Sequence, residues 1–293
     1  MAVVITGPNG FVGSHLATHL TLKGFEVLHL ARGSDPLPLL QRANVVVHLA
    51  ARVHVMNERS ANPLGEFRKV NVIATIALAR QAAAAGVARF VFMSSIKVNG
   101  EKTSLNFPFT ELDDPDPKDA YGQSKLEAEI GLREVADQTG MNVVIIRPPL
   151  IYGPGVKSNL AFLIRAVIKG WPLPFGAITN ARSFVGMDNL VDFIHCCVTN
   201  KTAANETFFV SDDNDLSTTQ LLNEIALAAG VELKLWSVPQ WVLKCGASLV
   251  GRQHDMQRLC GNLQVDTSKA RTLLGWRPTV SLQDGLKKTV ANV

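Results

Sequence analysis

Tyr121 and Lys125 stand four residues apart in Asp119-Ala120-Tyr121-Gly122-Gln123-Ser124-Lys125, a stretch that reads as the start of a helix. On a helix, positions i and i+4 share one face. An ammonium beside a phenol favours the phenolate and draws the tyrosine pKa toward working pH. That chemistry makes Tyr121 a candidate general acid/base. The same spacing also arises between two surface residues, so its weight depends on what lies upstream.

Upstream, Phe90-Val91-Phe92-Met93-Ser94-Ser95 reads as a buried strand ending in two hydroxyls. In open α/β sheets, ligands sit outside the C-terminal ends of the strands. A serine there can donate a hydrogen bond to a substrate oxygen, or simply cap the next turn. Further back, Ala2-Val3-Val4-Ile5-Thr6 is an apolar, β-branched run that predicts a strand. Gly7-Pro8-Asn9-Gly10-Phe11-Val12-Gly13 follows, then a helical pattern through Leu16, Leu20 and Leu22. Strand, glycine-rich turn and helix is the order of a dinucleotide-binding unit. Gly7 would allow the tight turn, Gly10 the approach of a pyrophosphate, and Gly13 close packing of helix on strand.

The elements that must position these residues alternate through the first half of the chain. The pattern predicts strands at 2–6, 25–31, 44–50, 88–94 and 142–147, and helices at 11–23, 64–85 and 119–139. Near-continuous apolar strands such as Val45-Val46-Val47-His48-Leu49-Ala50 suit a parallel sheet covered on both faces. The fold class is therefore α/β, a Rossmann-like doubly wound parallel sheet. A loop at 107–117 leads into the Tyr121 helix. Prolines cluster at 148–154 and 172–174 and the helices shorten. Residues 1–150 are thus read as a dinucleotide-binding domain, and 151–293 as a smaller substrate-binding lobe interleaved with the end of the sheet.

With 293 residues, 47% of them hydrophobic, the chain can bury a large core in one or two domains. A net charge of +4 without a basic run does not call for nucleic acid. Cys196, Cys197, Cys245 and Cys260 form no C-x-x-C pair, which suits reduced thiols in a cytoplasmic protein. The chain opens straight into a strand, with no leader pattern. No apolar stretch reaches the length of a membrane span. Residues 241–250 are apolar and are expected to form a core-facing helix. No cluster of His, Cys, Asp and Glu has metal-ligand spacing, so no metal is expected.

Taken in order, Thr6-Gly7-Pro8-Asn9-Gly10-Phe11-Val12-Gly13, His48-Leu49-Ala50-Ala51, Ser94-Ser95, Tyr121-x-x-x-Lys125 and Arg147-Pro148-x-x-Ile151-Tyr152-Gly153-Pro154 resemble an extended short-chain dehydrogenase/reductase. That group includes UDP-glucose 4-epimerase and many nucleotide-sugar enzymes. The resemblance runs to Asp266-Thr267-Ser268-Lys269-Ala270 and Leu273-Leu274-Gly275-Trp276. It implies Ser95, Tyr121 and Lys125 as the catalytic set, with Lys125 lowering the Tyr121 pKa and holding the nicotinamide ribose. It further implies dinucleotide contacts from Gly7, Asn9, Gly10, Phe11, Val12, Gly13, Leu49, Ala50, Ala51, Tyr121, Lys125 and Pro148.

Ser95-Ile96-Lys97-Val98-Asn99-Gly100-Glu101 has Gly100 in the family's place, but Asn99 where a tyrosine is usual. With Ala50-Ala51-Arg52-Val53-His54, the phrase is similar to a bacterial subgroup tied to UDP-N-acetyl-quinovosamine and UDP-N-acetyl-fucosamine synthesis for O-antigen and lipopolysaccharide. These enzymes reduce the C4 ketone of a UDP-linked 4-keto-6-deoxy-N-acetylhexosamine. The resemblance implies sugar-side contacts from Arg52, His54, Ser95, Lys97 and Asn99, and diphosphate contacts from Asn159 and Arg182. A second arginine would come from Arg252 or Arg258, with Arg258 favoured. Relatives often dimerise through two long helices per subunit, here 64–85 and 119–139. The Ala82 to Ala85 run would allow close helix approach there, or would face the sheet.

His29-Leu30-Ala31-Arg32 ends the second strand without the acid that meets an NAD ribose, and Arg32 suits a 2′-phosphate. The cofactor is therefore expected to be NADPH, with NAD the alternative. Asp35 lies too late to serve as that acid. The stretch from Ser34 to Arg42 is too short for the family's usual helix and strand, so the edge strand beyond the second strand should be missing or rudimentary. The activity expected is reduction of a UDP-sugar C4 ketone. A UDP-hexose 4-epimerase with tightly held NAD and a non-catalytic dinucleotide-binding protein are the alternatives, and a dehydratase ranks low because Ser94-Ser95-Ile96-Lys97 offers no acid pair.

Overall fold

The computed structural model describes residues 1–53, 62–249, 251 and 253–293. The described strands are β1 (Ala2–Thr6), β2 (Glu26–Leu30), β3 (Val45–His48), β4 (Arg89–Met93), β5 (Asn142–Arg147), β6 (Leu150–Tyr152), β7 (Phe184–Gly186) and β8 (Thr207–Phe209). The helices are α1 (Phe11–Leu22), α2 (Leu37–Leu40), α3 (Pro63–Phe67), α4 (Ala74–Ala84), α5 (Ala120–Thr139), α6 (Ser158–Ile168), α7 (Met187–Thr199), α8 (Thr218–Ala229), α9 (Gln240–Leu249), α10 (Gln253–Cys260), α11 (Ser268–Leu274) and α12 (Leu282–Val290). One parallel sheet has the order β2-β1-β3-β4-β5-β8, and β6 and β7 pair separately. This is the doubly wound architecture expected, and the five strands read from the first half all form.

Alternation along the strands builds two cores. Val3, Ile5, Val47, Val91 and Val144 point to one face and pack with Leu16 and Leu20 of α1 and Leu190, Phe193 and Ile194 of α7. Val4, Val46, Phe90, Phe92 and Ile145 point to the other and meet Ala79 and Ala82 of α4 and Leu132 and Val135 of α5. Phe92 is fully buried, and truncating such a ring to alanine costs about 3–5 kcal/mol. The register sets Val3 beside both Val27 and Val45, so β1 sits between β2 and β3. Strand order reverses between β1 and β3, and the crevice outside their C-terminal ends is the ligand site of such sheets. Beyond residue 150, Tyr152, Leu160, Ile164, Leu222, Ile225 and Leu286 form a further core joining α6, α8 and α12.

The sheet ends at β2, with no further strand beyond it among the described residues, as the short 34–42 segment requires. That segment makes the single turn α2, started by Asp35, whose Oδ1 accepts from the Leu37 amide at 3.0 Å.

Two expectations need correction. The helix read at 64–85 is three pieces, because a π-helical segment, Arg68–Ile73, separates α3 from α4. Its extra residue per turn presents Asn71 to the interior, where it is 1% exposed, and such segments gather at functional sites. The helix at 241–250 does not face the core either: α9 lies beside α10 and leaves Trp241 69% exposed. Of the Ala82 to Ala85 run, Ala82, Ala83 and Ala85 pack on the sheet side and Ala84 is exposed. No described helix is long and apolar enough to cross a membrane.

Candidate active site

The crevice begins at the glycine turn after β1. Gly7 has φ +65°, and a side chain there would crowd the Ala50 backbone at 3.1 Å. A Cβ on Gly13 would come within 2.1 Å of the Gly7 carbonyl oxygen, so only glycine lets α1 start this close to β1. Gly10 is the N-cap of α1 and gives no side-chain cap. The first-turn amides of α1 therefore keep their hydrogen-bonding capacity for a ligand, and the helix dipole favours an anion there. A cradle too tight for any Cβ, closed by uncapped amides, fits a dinucleotide pyrophosphate.

Thr6 ties the two central strands together at this point. Its Oγ1 accepts from the amides of Leu49 and Ala50 at 3.1 and 3.0 Å and meets His48 Nδ1 at 2.9 Å. His48 Nε2 lies 2.9 Å from Thr75 Oγ1. Burial, then the Lys125 charge, pulls His48 down to about 3, so its ring is neutral. With two amides donating to Thr6, the Thr6 proton goes to Nδ1 and Nε2–H faces Thr75. The network sets Leu49 and Ala50 against the glycine turn.

Beyond β4, the two serines part. Ser94 Oγ donates to Glu129, whose carboxylate is also held by Arg147 at 2.9 and 2.5 Å. Ser95 caps the short turn Ile96–Val98, accepting from the Lys97 amide at 3.3 Å, and lies close enough to the Tyr121 phenol to favour its ionised form. Tyr121 sits in the first turn of α5, whose N-cap Asp119 accepts from the Gly122 amide at 2.7 Å. Gly122 is required because a Cβ there would lie 2.6 Å from the Lys97 carbonyl. One turn on, Lys125 Nζ donates to the Met93 carbonyl at 2.7 Å and stands 5.9 Å from the centroid of the Tyr121 ring. Ser95, Tyr121 and Lys125 are thus brought together as expected.

The electrostatics differ from the sequence reading. Tyr121 is pushed up to about 12 by burial, then by the Asp119 carboxylate, against the opposing effect of Ser95. Burial draws Lys125 down to about 7, with Glu129 opposing. A lysine this reluctant to carry charge cannot overcome desolvation of the phenol, so Tyr121 rests as the protonated acid.

Several predicted substrate-side residues are already engaged. Lys97 Nζ donates to Asp119, and to Glu101 at 3.1 Å. Arg258 reaches the same Glu101 at 3.6 Å. Arg182 Nη1 donates to the Gly261 carbonyl at 3.0 Å, and burial, then the charge of Arg258, pulls it down to about 10. Glu101, which pairs with Arg258, opposes that fall at Arg182. Asn99 does not face the crevice: it is 2% exposed and its Oδ1 accepts from Arg147 at 2.9 Å. The tyrosine usual at that position is replaced by a partner for a buried arginine. The Arg52 amide donates to Asn71 Oδ1 at 2.8 Å, with its guanidinium 5.6 Å above the Phe67 ring. Pro148 accepts from the Ile96 amide at 3.1 Å. Asn159, in the first turn of α6, and Arg32 are exposed. His54 and Arg252 lie outside the described residues.

Sequence reasoning missed Asp119, Glu101 and Asn71. Asp119 had a usable signal, an acidic N-cap three residues before Gly122. Asn71 had none, since its place depends on the π-helical segment. Its Nδ2 donates to the Arg52 carbonyl and to Ser124 Oγ, both at 3.0 Å, and so locks α5 to the end of β3.

A protein described as UDP-glucose 4-epimerase from Vibrio cholerae is 45% identical over 308 aligned positions, covering 98% of this chain and 94% of that one. Among solved structures, the UDP-N-acetylglucosamine 4-epimerase of Bacillus cereus superposes with a TM-score of 0.81 at 20% identity, covering 99% and 98% of the two chains. RMD from Pseudomonas aeruginosa, solved with NADPH, gives 0.80 at 22% identity, with coverage of 100% and 99%. Residues 3–210 match the model of the NAD dependent epimerase/dehydratase family, and the chain belongs to that family.

Proposed function

We propose that the protein reduces the C4 ketone of a UDP-linked 2-acetamido-2,6-dideoxy-4-hexulose to a UDP-N-acetyl-6-deoxyhexosamine, using NADPH. The observation that carries this reading is Lys125 one turn from Tyr121 on α5 and 5.9 Å from its ring, with Ser95 just past the end of β4. The nicotinamide, when bound, supplies the hydride to C4. Ser95 holds the ketone oxygen, and Tyr121 hands it a proton as the alkoxide forms. Lys125 holds the nicotinamide ribose and returns charge to the site once its proton is regained. Gly7, Asn9, Gly10, Phe11, Val12 and Gly13 cradle the pyrophosphate, and Leu49, Ala50, Ala51 and Pro148 line its path. Arg182 and Arg258 clamp the sugar diphosphate, with Asn159 at the start of α6, and residues 151–293 act as the substrate-facing lobe. A homodimer would pack through the helices spanning 64–85 and 119–139, on which Ile73 and Ile130 are exposed.

NADPH is favoured by the end of β2. Arg32 is exposed there, and the nearby acid, Asp35, is spent on starting α2. A sheet that stops at β2 leaves the adenine side open, which suits a cofactor exchanged at each turnover. The test is reduced-nicotinamide absorbance on adding UDP-2-acetamido-2,6-dideoxy-xylo-4-hexulose, with NADPH and NADH in parallel. Rapid loss with NADPH is expected, and no loss with either cofactor overturns the reading.

A second reading is favoured by the 45% identity to the Vibrio cholerae protein described as UDP-glucose 4-epimerase. Under it, C4 is oxidised and re-reduced within one binding event on tightly held NAD. Interconversion of UDP-glucose and UDP-galactose without added cofactor would select it.

A further inference from the structure

On the sheet face opposite α5, helices α1 and α7 pack against each other and share the core around Leu16, Leu20 and Phe193. At their contact lie three side chains of liganding type: His19 from α1, and Asp192 and His195 one turn apart on α7. One ligand atom from each falls within 4.8 Å of the other two, and all three residues are half-buried. The imidazole centroids are 5.6 Å apart, and Phe25 meets His195 edge-on at 5.4 Å.

The cluster is built. Trp276 Nε1 donates to Asp192 Oδ2 at 2.9 Å, a hydrogen bond that orients the carboxylate as outer partners orient metal ligands. His19 Nε2 is closed off from water and has no hydrogen-bond partner among the described residues. Two aromatic rings packed for bulk alone would leave that nitrogen orphaned, which native structures avoid. Burial lowers both histidines below their ordinary value, with Lys23 adding to the effect and Asp192 opposing it. Asp188 also opposes it at His19, and the charge of His19 itself acts on His195. Cys196, on the same helix, is half-buried.

We propose that His19, Asp192 and His195 form a binding site for a divalent transition-metal ion, Zn²⁺ by preference. Two imidazoles and a carboxylate are a donor set of the kind zinc takes, with ligands at about 2.0–2.2 Å and a fourth position left to water. The site lies away from Ser95 and Tyr121, so its role is structural. The ion would clamp α1, which carries the dinucleotide turn, to α7. Chain spacing conceals the site because its third ligand comes from a distant helix, and this is why a reading of sequence spacing alone finds no metal.

The test uses the full-length, untagged protein, stripped with EDTA and titrated calorimetrically with ZnCl₂, with Co²⁺ absorption as the second readout. One Zn²⁺ per chain is expected, with a rise in Tm of about 5 °C at a hundredfold excess over Kd. His19→Ala and His195→Ala should each weaken binding by about 100-fold or more, and Trp276→Phe by about 10–100-fold. Circular dichroism confirms that each variant folds, and Asp192→Asn replaces any that does not. Cys196→Ser should change nothing. Unchanged affinity in the histidine variants, loss of binding in Cys196→Ser, or no stoichiometric binding by the wild type would each overturn the proposal.

Discussion

Ser94 Oγ is bound to the Glu129 carboxylate, so of two consecutive serines only Ser95 is left to meet Tyr121. The strand's alternation turns adjacent side chains to opposite sides. One serine therefore belongs to a buried network with Arg147 and Asn99, and the other to the crevice.

This division makes the catalytic assignment testable. Tyr121→Phe removes the proton donor and should lower turnover by about 10²–10⁴ with substrate binding kept. Ser95→Ala should also reduce kcat. Ser94→Ala should leave kcat close to wild type and act on stability instead, by about 1–3 kcal/mol through loss of its hydrogen bond to the Glu129 carboxylate, which Arg147 still holds. Steady-state kinetics and urea unfolding of the three variants separate the two roles, and a Ser94→Ala enzyme as slow as Ser95→Ala would refute the assignment.

Stability should climb with pH in two windows. His48 falls from 6.5 to about 3 on folding, and Lys125 from 10.5 to about 7. Within each interval the unfolded chain holds a proton that the folded chain has released, so stability increases with pH from about 3 to 6.5 and again from about 7 to 10.5. Below each interval both states are protonated, and above it neither is, so the slope vanishes. Urea midpoints measured across pH should show the upper rise in the wild type and lose it in Lys125→Met. An identical rise in the variant would rule out Lys125 as its source.

At the glycine turn the limit is steric. Gly13→Ala drives a methyl into the Gly7 carbonyl and should cost about 1–3 kcal/mol while abolishing dinucleotide binding. Gly246→Ala, within α9 with nothing near the added methyl, should be neutral or stabilise by up to about 1 kcal/mol. Thermal melts with and without NADPH check both.

Arg182 and Arg258 should act on the nucleotide sugar rather than on the dinucleotide. Either arginine changed to alanine should raise KM for the UDP-sugar by roughly 10–100-fold, the worth of one charge-assisted hydrogen bond to phosphate. The Kd for NADPH should stay within twofold of wild type, on the order of the experimental spread for a change far from the glycine turn. Fluorescence titration with NADPH beside sugar kinetics measures the two, and an equal loss on both sides would place the arginines elsewhere.

Legibility in the sequence followed the range of the interaction. Gly7, Gly10 and Gly13 could be read because strand, turn and helix are contiguous. Tyr121 and Lys125 could be read because a helix repeats every 3.6 residues. The exposed α9 could not, since an apolar segment does not reveal whether a neighbour will cover it. The break in the 64–85 helix escaped as well, because a π segment carries no breaker residue.

The sequence alone determined the sheet, the glycine turn and the placing of Tyr121 and Lys125 on one helix face, because each rests on local periodicity or on contiguous chain. Tertiary structure decided which serine faces Tyr121 and that Asn99 serves Arg147. It also decided that Lys125 is too deeply buried to lower the Tyr121 pKa, and that His19 meets Asp192 and His195 across two helices. Desolvation and long-range contacts depend on what packs around a group, and no spacing along the chain encodes them.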